Sequence, residues 1–152
     1  MERRCRVMRE ILFRAKRLDN GEWVEGYYLK CPHQYSGFLA DHISVSKYDE
    51  EEESSIEQIY PIDPETVGQF TGLTDKNDKK IFEGDIVSAD IERPYLIVEF
   101  RSGCFMFNCN DGGEDYYDIM MPILKKPQKV YKYGEVIGNI FDNPELLKEG
   151  VE

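Results

Sequence analysis

Three cysteines and one histidine are the first residues of this chain that could do chemistry. Cys31 precedes His33 by two positions, and Cys104 precedes Cys109 by five. Three thiolates and one imidazole form a donor set that can hold structural zinc. The spacings match no standard zinc knuckle, however, and a free cysteine is often simply a small buried side chain. We therefore predict reduced thiols and no metal site.

Two carboxylates, Glu83 and Asp85, flank Gly84. Such a pair could serve acid–base catalysis if the two groups had different environments. A tight turn explains the same residues, because glycine reaches conformations closed to other residues and an aspartate side chain accepts nearby backbone N–H bonds. We favour the turn.

The sequence has no G-x-S-x-G, P-loop or G-x-G-x-x-G motif, and neither of its two histidines lies beside a nucleophile motif. We predict no enzyme, no catalytic residue and no cofactor.

A group of aromatic residues in the first quarter of the chain could form a recognition surface for bases or for a partner protein. Its members are Trp23, Tyr27, Tyr28, Tyr35 and Phe38. Alternating aromatics also form the inner face of a sheet. We favour this second interpretation, because large apolar side chains are usually buried.

The charge of the chain restricts its partners. Thirty acidic and nineteen basic side chains give a formal net charge of −11. Binding to nucleic acid relies on lysine and arginine displacing counterions from phosphates, so this balance disfavours nucleic acid, and it disfavours an anionic membrane surface as well. No stretch approaches the roughly 18 apolar residues of a spanning helix, and no apolar segment of a secretory signal follows the N-terminus. We expect no membrane partner and a cytoplasmic location.

The most acidic segment is the run from Asp49 to Glu53, followed by two serines. Adjacent like charges repel one another and oppose compaction. We predict an acidic, mobile loop over residues 48–58, inserted between two parts of the fold.

The remaining elements are predominantly strand-like. Alternating residues around the turn signal Asp19-Asn20-Gly21 predict a hairpin over residues 9–29. Three turn clusters interrupt the stretch Tyr60–Val87, where Thr66–Thr71, Lys80–Phe82 and Ile86-Val87 read as short strands. Further on we predict a hairpin about Arg101-Ser102-Gly103, a loop over Asn108–Asp115, a strand at Tyr116–Met121, a closing strand within Tyr131–Phe141, and a short helix that starts at Asn143-Pro144-Glu145.

These elements predict a mainly β fold with an N-terminal hairpin and a short C-terminal helix, with α+β as the alternative. The length of 152 residues suits one domain. Residues 1–7 are polar and rich in arginine, and we predict a flexible tail there and a single domain over residues 8–150.

Two long motifs in this order resemble the YopX family of phage and prophage proteins. The first runs from Pro64-Glu65-Thr66-Val67-Gly68 through Gly72-Leu73 and Asp75-Lys76 to Ile81-Phe82-Glu83-Gly84-Asp85-Ile86-Val87. The second is Val136-Ile137-Gly138-Asn139-Ile140-Phe141-Asp142-Asn143-Pro144-Glu145-Leu146. Phe13-Arg14-Ala15-Lys16 with Gly21-x-Trp23-Val24 is similar to the opening hairpin of the family. The signature positions, interpreted as turn and strand residues, are Gly72, Asp75, Gly84, Asp85, Gly138, Asn139, Asn143 and Pro144.

The resemblance implies a β fold of SH3-like or pseudo-barrel character, a gene in a phage or prophage, and homo-oligomers. It implies no activity, because the family has no assigned reaction. Three functions are therefore compared. The first is a non-catalytic module that binds a phage or host protein or self-assembles, the second a nucleic-acid accessory protein, and the third an acidic inhibitor of a host nucleic-acid-binding protein. We favour the first, since strand edges and aromatic residues suit protein contacts.

Overall fold

The computed structural model describes residues 10–32, 37–88, 95–110, 115–119 and 134–147. The predicted tail at residues 1–7 lies outside these ranges. All eleven strands of the described chain belong to one of two antiparallel sheets.

The first sheet has six strands in the order β4-β3-β2-β1-β5-β6. It begins with the predicted N-terminal hairpin, whose turn contains Gly21 at a φ of 72°. The bounds are β1 Phe13–Lys16, β2 Trp23–Pro32, β3 Leu39–Asp49, β4 Ser54–Pro61, β5 Gly68–Thr74 and β6 Lys80–Phe82.

The second sheet has five strands in the order β10-β9-β8-β7-β11. The predicted hairpin turn at Ser102 and Gly103 is confirmed, and both residues have positive φ. The predicted loop over Asn108–Asp115 is wrong at both ends, because one strand extends through Asn110 and the next begins at Asp115, with which Asn110 pairs. The bounds are β7 Asp85–Ser88, β8 Leu96–Arg101, β9 Cys104–Asn110, β10 Asp115–Ile119 and β11 Glu135–Asn139.

The acidic run lies in a hairpin turn, and not in a long loop. β3 extends through Asp49 and β4 begins at Ser54, so the prediction of a loop over residues 48–58 is wrong at both ends. Asp49 Oδ1 accepts the backbone N–H groups of Glu51 at 2.9 Å and Glu52 at 3.2 Å. The repelling carboxylates point into solvent from a turn, where their repulsion does not prevent the flanking strands from pairing. Mobility of this segment stays a prediction.

The first sheet curls upon itself. An isolated bridge joins Arg17, just after β1, to Ile62, just after β4. Ala15, Ile43 and Ile62 are buried together inside this curl. This single bridge connects the end of the edge strand β4 to the end of the interior strand β1 without closing the sheet, so the described strands form two open sheets.

The larger core lies against the second sheet and reaches across to the first. Ile81 of β6 packs in the same cluster as strands of the second sheet. A smaller cluster of Leu12, Phe70 and Phe82 lies beside it. The other members of the larger cluster are Val87, Leu96, Val98, Phe107 and Val136.

Helical structure among the described residues is limited to two 3-10 turns, at Pro64–Thr66 and Pro144–Leu147. The mainly β prediction is confirmed over the α+β alternative. The predicted strand at Thr66 begins two residues later, because Asp63 caps the first 3-10 turn by accepting the N–H of Glu65. The predicted C-terminal helix is the second of these turns. Within the described ranges, no helix has the length and apolar character needed to cross a membrane.

Candidate functional site

Asp85 joins the two sheets. Its side chain is 1% exposed, and Oδ2 accepts the N–H of Phe82 at 2.8 Å, as expected of a turn residue. Oδ1 accepts a bond from Nη2 of Arg14 in β1 at 2.5 Å. The Arg14 guanidinium lies 4.8 Å from the ring centroids of both Trp23 and Phe82. Burial raises the pKa of Asp85, although Arg14 and the N–H of Phe82 act in the opposite direction.

Glu83, the other half of the suspected catalytic pair, is partly buried, and burial raises its pKa as well. An acid and a base need environments that move their pKa values apart. Here burial raises the pKa of both carboxyls, Glu83 and Asp85. Gly84 between them has a φ of 84°, donates its N–H to Val98 at 2.8 Å and accepts the N–H of Ile140 at 2.9 Å. This arrangement supports a structural turn.

Asp75 makes a second connection between the sheets. Oδ1 accepts the N–H groups of Asn77 and Lys79, at 2.8 and 2.9 Å, within the turn before β6. Oδ2 accepts the N–H of Val136 in β11 at 2.9 Å. Burial opposes ionisation of Asp75, but these three backbone N–H groups outweigh it and lower the pKa.

The turn after β11 depends on two asparagines and a glycine. Asn139 Oδ1 accepts the N–H groups of Phe141 and Asp142 at 3.0 and 2.9 Å. Asn143 Oδ1 accepts the N–H of Asn139 at 3.3 Å, and a Cβ on Gly138 would lie 2.4 Å from that oxygen. A side chain at position 138 would therefore displace the side chain of Asn143 from this bond.

Asp142 is the residue of this turn that the sequence interpretation missed. It contacts Lys16 Nζ at 2.5 Å, Trp23 Nε1 at 2.6 Å and Asn139 Nδ2 at 3.0 Å. These three donors lower its pKa to about 2, with Lys16 the largest cause. The available signal was the presence of Lys16 and Trp23 in the opening-hairpin motif and of Asp142 in the C-terminal motif. We call the junction formed by Arg14, Asp85, Asp75, Val136 and Asp142 the seam.

The remaining signature residues are Gly72 and Pro144. Gly72 is exposed, has a φ of 84°, and lies where the β5–β6 register shifts between Phe70 and Thr74. Pro144 opens the 3-10 turn at the end of the described chain. The signature residues thus lie at the seam, in the turn at Gly84 beside it, at the end of β11 with the turn that follows, and at this irregularity in β5.

The cysteines do not assemble into a metal site among the residues described. Cys31 and Cys104 lie in different sheets, and no group of three or more potential ligand side chains occurs in the described ranges. His33 and the side chain of Cys109 fall outside those ranges, so the four-residue zinc set remains untested.

Cys31 has a different neighbour, because its Sγ lies 3.2 Å from His42 Nδ1. The same nitrogen lies 2.9 Å from the carbonyl oxygen of Ala40. A carbonyl only accepts, so this bond places the proton on Nδ1. In that tautomer the nitrogen nearest the thiol has no lone pair with which to act as its base. The pair does not have the geometry of an activated nucleophile.

The prediction that the N-terminal aromatics form an inner face is partly wrong. Tyr28 packs against Phe13 beside the core, and Trp23 is half-buried in the seam. Tyr27 and Phe38, however, are 58% and 79% exposed, and Tyr35 lies outside the described residues. Strand alternation puts Tyr27 on the face opposite Tyr28, away from the interior of the curl.

The hairpin of β3 and β4, which we call the arm (residues 39–61), extends this exposed face. Register places Tyr27, Ser44 and Ile59 in one row across three strands, and Tyr48 lies further along the same face. Tyr48 and Ile59 are 65% and 50% exposed. We call Tyr27, Tyr48 and Ile59 the outer patch.

β4 is also an edge strand. Ile62 donates its N–H to Asp41 in the β3 direction, and hydrogen-bonded pairs alternate in an antiparallel ladder. Tyr60, Gln58 and Ile56 therefore bond to β3, whereas Ser55, Glu57 and Ile59 direct their N–H and C=O groups outward. Pro61 fits this alternation, since its carbonyl points outward and accepts the N–H of Leu18 at 3.0 Å. No described strand pairs with the outward side of β4 before Pro61.

Comparison with known proteins decides the family. The family model described as "YopX protein" matches residues 12–148. The chain belongs to the YopX family. It is also similar to the crystal structure of protein EF1440 from Enterococcus faecalis, with 26% identity and a TM-score of 0.53 over 91% of this chain and 98% of that one. No curated protein matches this YopX-family chain.

Proposed function

We propose that this YopX-family chain is a non-catalytic protein-interaction module that binds its partner through the arm. The observation that carries the proposal is the coincidence of an open strand edge with the outer patch. Three large side chains exposed on one sheet face provide contact area for a partner protein. Aromatic residues are moreover enriched where proteins meet.

The charge of the arm argues against nucleic acid as that partner. Residues 39–61 contain seven acidic side chains and one lysine, Lys47. Phosphates would meet repulsion along the hairpin turn and at Glu57. Inhibition of a host nucleic-acid-binding protein by charge mimicry has less support, because the acidic run is confined to one turn and does not follow an extended surface.

The wider setting is part of the same proposal. We place the protein in the cytoplasm of a bacterial host, encoded by a phage or prophage. The curl of the first sheet is compatible with the SH3-like or pseudo-barrel arrangement that we propose for the family. Self-assembly into homo-oligomers is the second candidate, since an open edge can pair with another copy, and light scattering on the purified chain tests it.

Quantitative capture from host lysate tests the interaction through the arm. The variant Tyr27→Ser/Ile59→Ser removes two members of the outer patch, and Phe100→Ser removes an aromatic of similar exposure from the second sheet. Proteins that bind the arm should be captured by the wild type and by Phe100→Ser, and at least about tenfold less by the double variant, as expected for anchor residues. Equal capture by all three proteins would contradict the proposal.

A further inference from the structure

We infer that the outward edge of β4 binds an extended, basic segment of another protein, which adds to the first sheet as an antiparallel strand. This inference rests on the proposed function and specifies the chemistry of the partner. Strand addition supplies affinity through main-chain bonds and specificity through alternate side chains.

The edge has the backbone groups that strand addition requires. Ser55, Glu57 and Ile59 direct one N–H and one C=O each away from β3, which follows from the alternation that Ile62 and Pro61 establish. The side chains of residues 55–59 are all exposed. The end of the edge at Pro61 is closed by the backbone of Leu18, so an added strand pairs with residues 55–59.

Charge complementarity identifies the occupant as basic. Glu57 is exposed in the middle of β4, where its Oε1 accepts a bond from Ser44 Oγ at 2.5 Å, and the acidic turn of Glu50–Glu53 lies at one end of the strand. A lysine or arginine opposite Glu57, and another beside the turn, would neutralise these carboxylates. Ile56, which is 42% exposed, lies on the face of β4 opposite Glu57, so apolar side chains that alternate with the basic ones would cover it.

The same charges disfavour a second copy of this chain at the edge. Antiparallel pairing of two β4 strands about Glu57 places that carboxylate opposite itself. The pairing centred on Glu57 is the one that keeps both copies within residues 55–59. Like charges directly opposite one another on neighbouring strands are destabilising, and each copy brings a net charge of −11.

A peptide-binding experiment with edge variants tests the inference. The probe is a fluorescein-labelled peptide of alternating lysine and valine, measured by fluorescence anisotropy at two salt concentrations. Ser55→Pro removes an outward N–H that makes no bond within the sheet, and Ser55→Ala is the matched control that keeps it. We expect Ser55→Pro to weaken binding about two- to tenfold, as for the loss of one hydrogen bond, and Ser55→Ala to leave it unchanged.

Two further comparisons keep the inference falsifiable if Ser55→Pro does not fold. Glu57→Lys should weaken binding by at least about twofold, as for the loss of an exposed ion pair. A peptide with the same composition, but with its lysines and valines in separate blocks, should bind more weakly than the alternating one. Equal binding of the two peptides, or equal binding to Glu57→Lys and wild type, would overturn strand addition.

The outcomes also separate this inference from the proposed function. Loss of host-protein capture in Tyr27→Ser/Ile59→Ser, with peptide binding unaffected by Ser55→Pro, would retain an interaction module and reject strand addition. A change from dimer to monomer caused by Ser55→Pro in sedimentation would assign the edge to a second copy and overturn the basic partner.

Discussion

Asp75 Oδ2 accepts the backbone N–H of Val136 at 2.9 Å, across 61 positions of sequence. The carboxylate thereby holds the turn before β6 against β11, and Asp85 holds β1 against β7 at the other part of the seam. Both carboxylates are almost fully buried and bonded to backbone N–H groups of turns. The acidic signature residues are thus explained by the joining of two sheets.

Replacement of Asp75 should reduce stability strongly. Asp75→Ala leaves three backbone N–H groups without their acceptor, of which that of Val136 is buried between the sheets. We expect the free energy of unfolding to fall by about 2–4 kcal/mol in urea denaturation. Asn77→Ala, an exposed change in the same turn, should cost less than about 0.5 kcal/mol. Similar losses in the two variants would contradict the role given to Asp75.

Arg14 neutralises a buried carboxylate, so its removal should be costly and dependent on pH. Arg14→Ala leaves Asp85 charged and buried, with an expected loss of about 3–5 kcal/mol near pH 7. Without Arg14 the pKa of Asp85 rises further. A group whose folded pKa is raised loses stability as pH rises through that pKa, so the loss should be smaller near pH 4.

A second substitution provides the control for that prediction. Asp85→Asn in the Arg14→Ala background removes the buried charge and should recover part of the lost stability near pH 7. A double variant less stable than Arg14→Ala at every pH would contradict the electrostatic explanation.

Gly138→Ala should destabilise the turn after β11 through steric overlap alone. The added Cβ would lie 2.4 Å from Asn143 Oδ1. We expect a cost of about 1–3 kcal/mol in thermal or urea denaturation, as for overpacking of a close contact. In an Asn143→Ala background, Gly138→Ala should lower the free energy of unfolding by less, because Oδ1 and Cγ of Asn143 are no longer present. An unchanged cost in that background would show that another contact is responsible.

The pKa of Asp142 can be measured directly by carbon-detected NMR titration. We expect about 2, against an ordinary value of 3.8. A lowered carboxyl pKa contributes stability that is present above the ordinary value and lost as pH falls toward the folded one. Lys16→Met should move the pKa upward by more than Trp23→Phe does, because Lys16 is the largest cause of the shift. An ordinary pKa in the wild type would contradict the contacts described for this turn.

Much of the fold could be predicted from local sequence signals. Turn residues such as Gly21 and Gly103 and the alternation of apolar residues locate the hairpins, since both signals act over a few residues. The charge run misled the prediction at residues 48–58, because repulsion in a solvent-exposed turn does not oppose the pairing of Tyr48 with Ser55 on either side of it. The partners of Asp75 and Asp142 on other strands could not be predicted, because Val136 lies 61 positions from Asp75 and Trp23 more than 100 positions from Asp142.

The outer patch was missed for a related reason. Trp23, Tyr27 and Tyr28 have similar side chains, and only the curl of the sheet determines which of them face the core. The open edge likewise follows from strand order, which depends on pairings between distant segments.

Amide hydrogen exchange along β4, measured by NMR with and without the alternating lysine–valine peptide, tests the central claim most directly. Without peptide we predict fast exchange at Ser55, Glu57 and Ile59 and slow exchange at Ile56, Gln58 and Tyr60. With peptide, the first three amides should become protected while the others change little. Protection that appears elsewhere, or an edge whose outward amides exchange slowly in the free protein, would contradict binding at this strand.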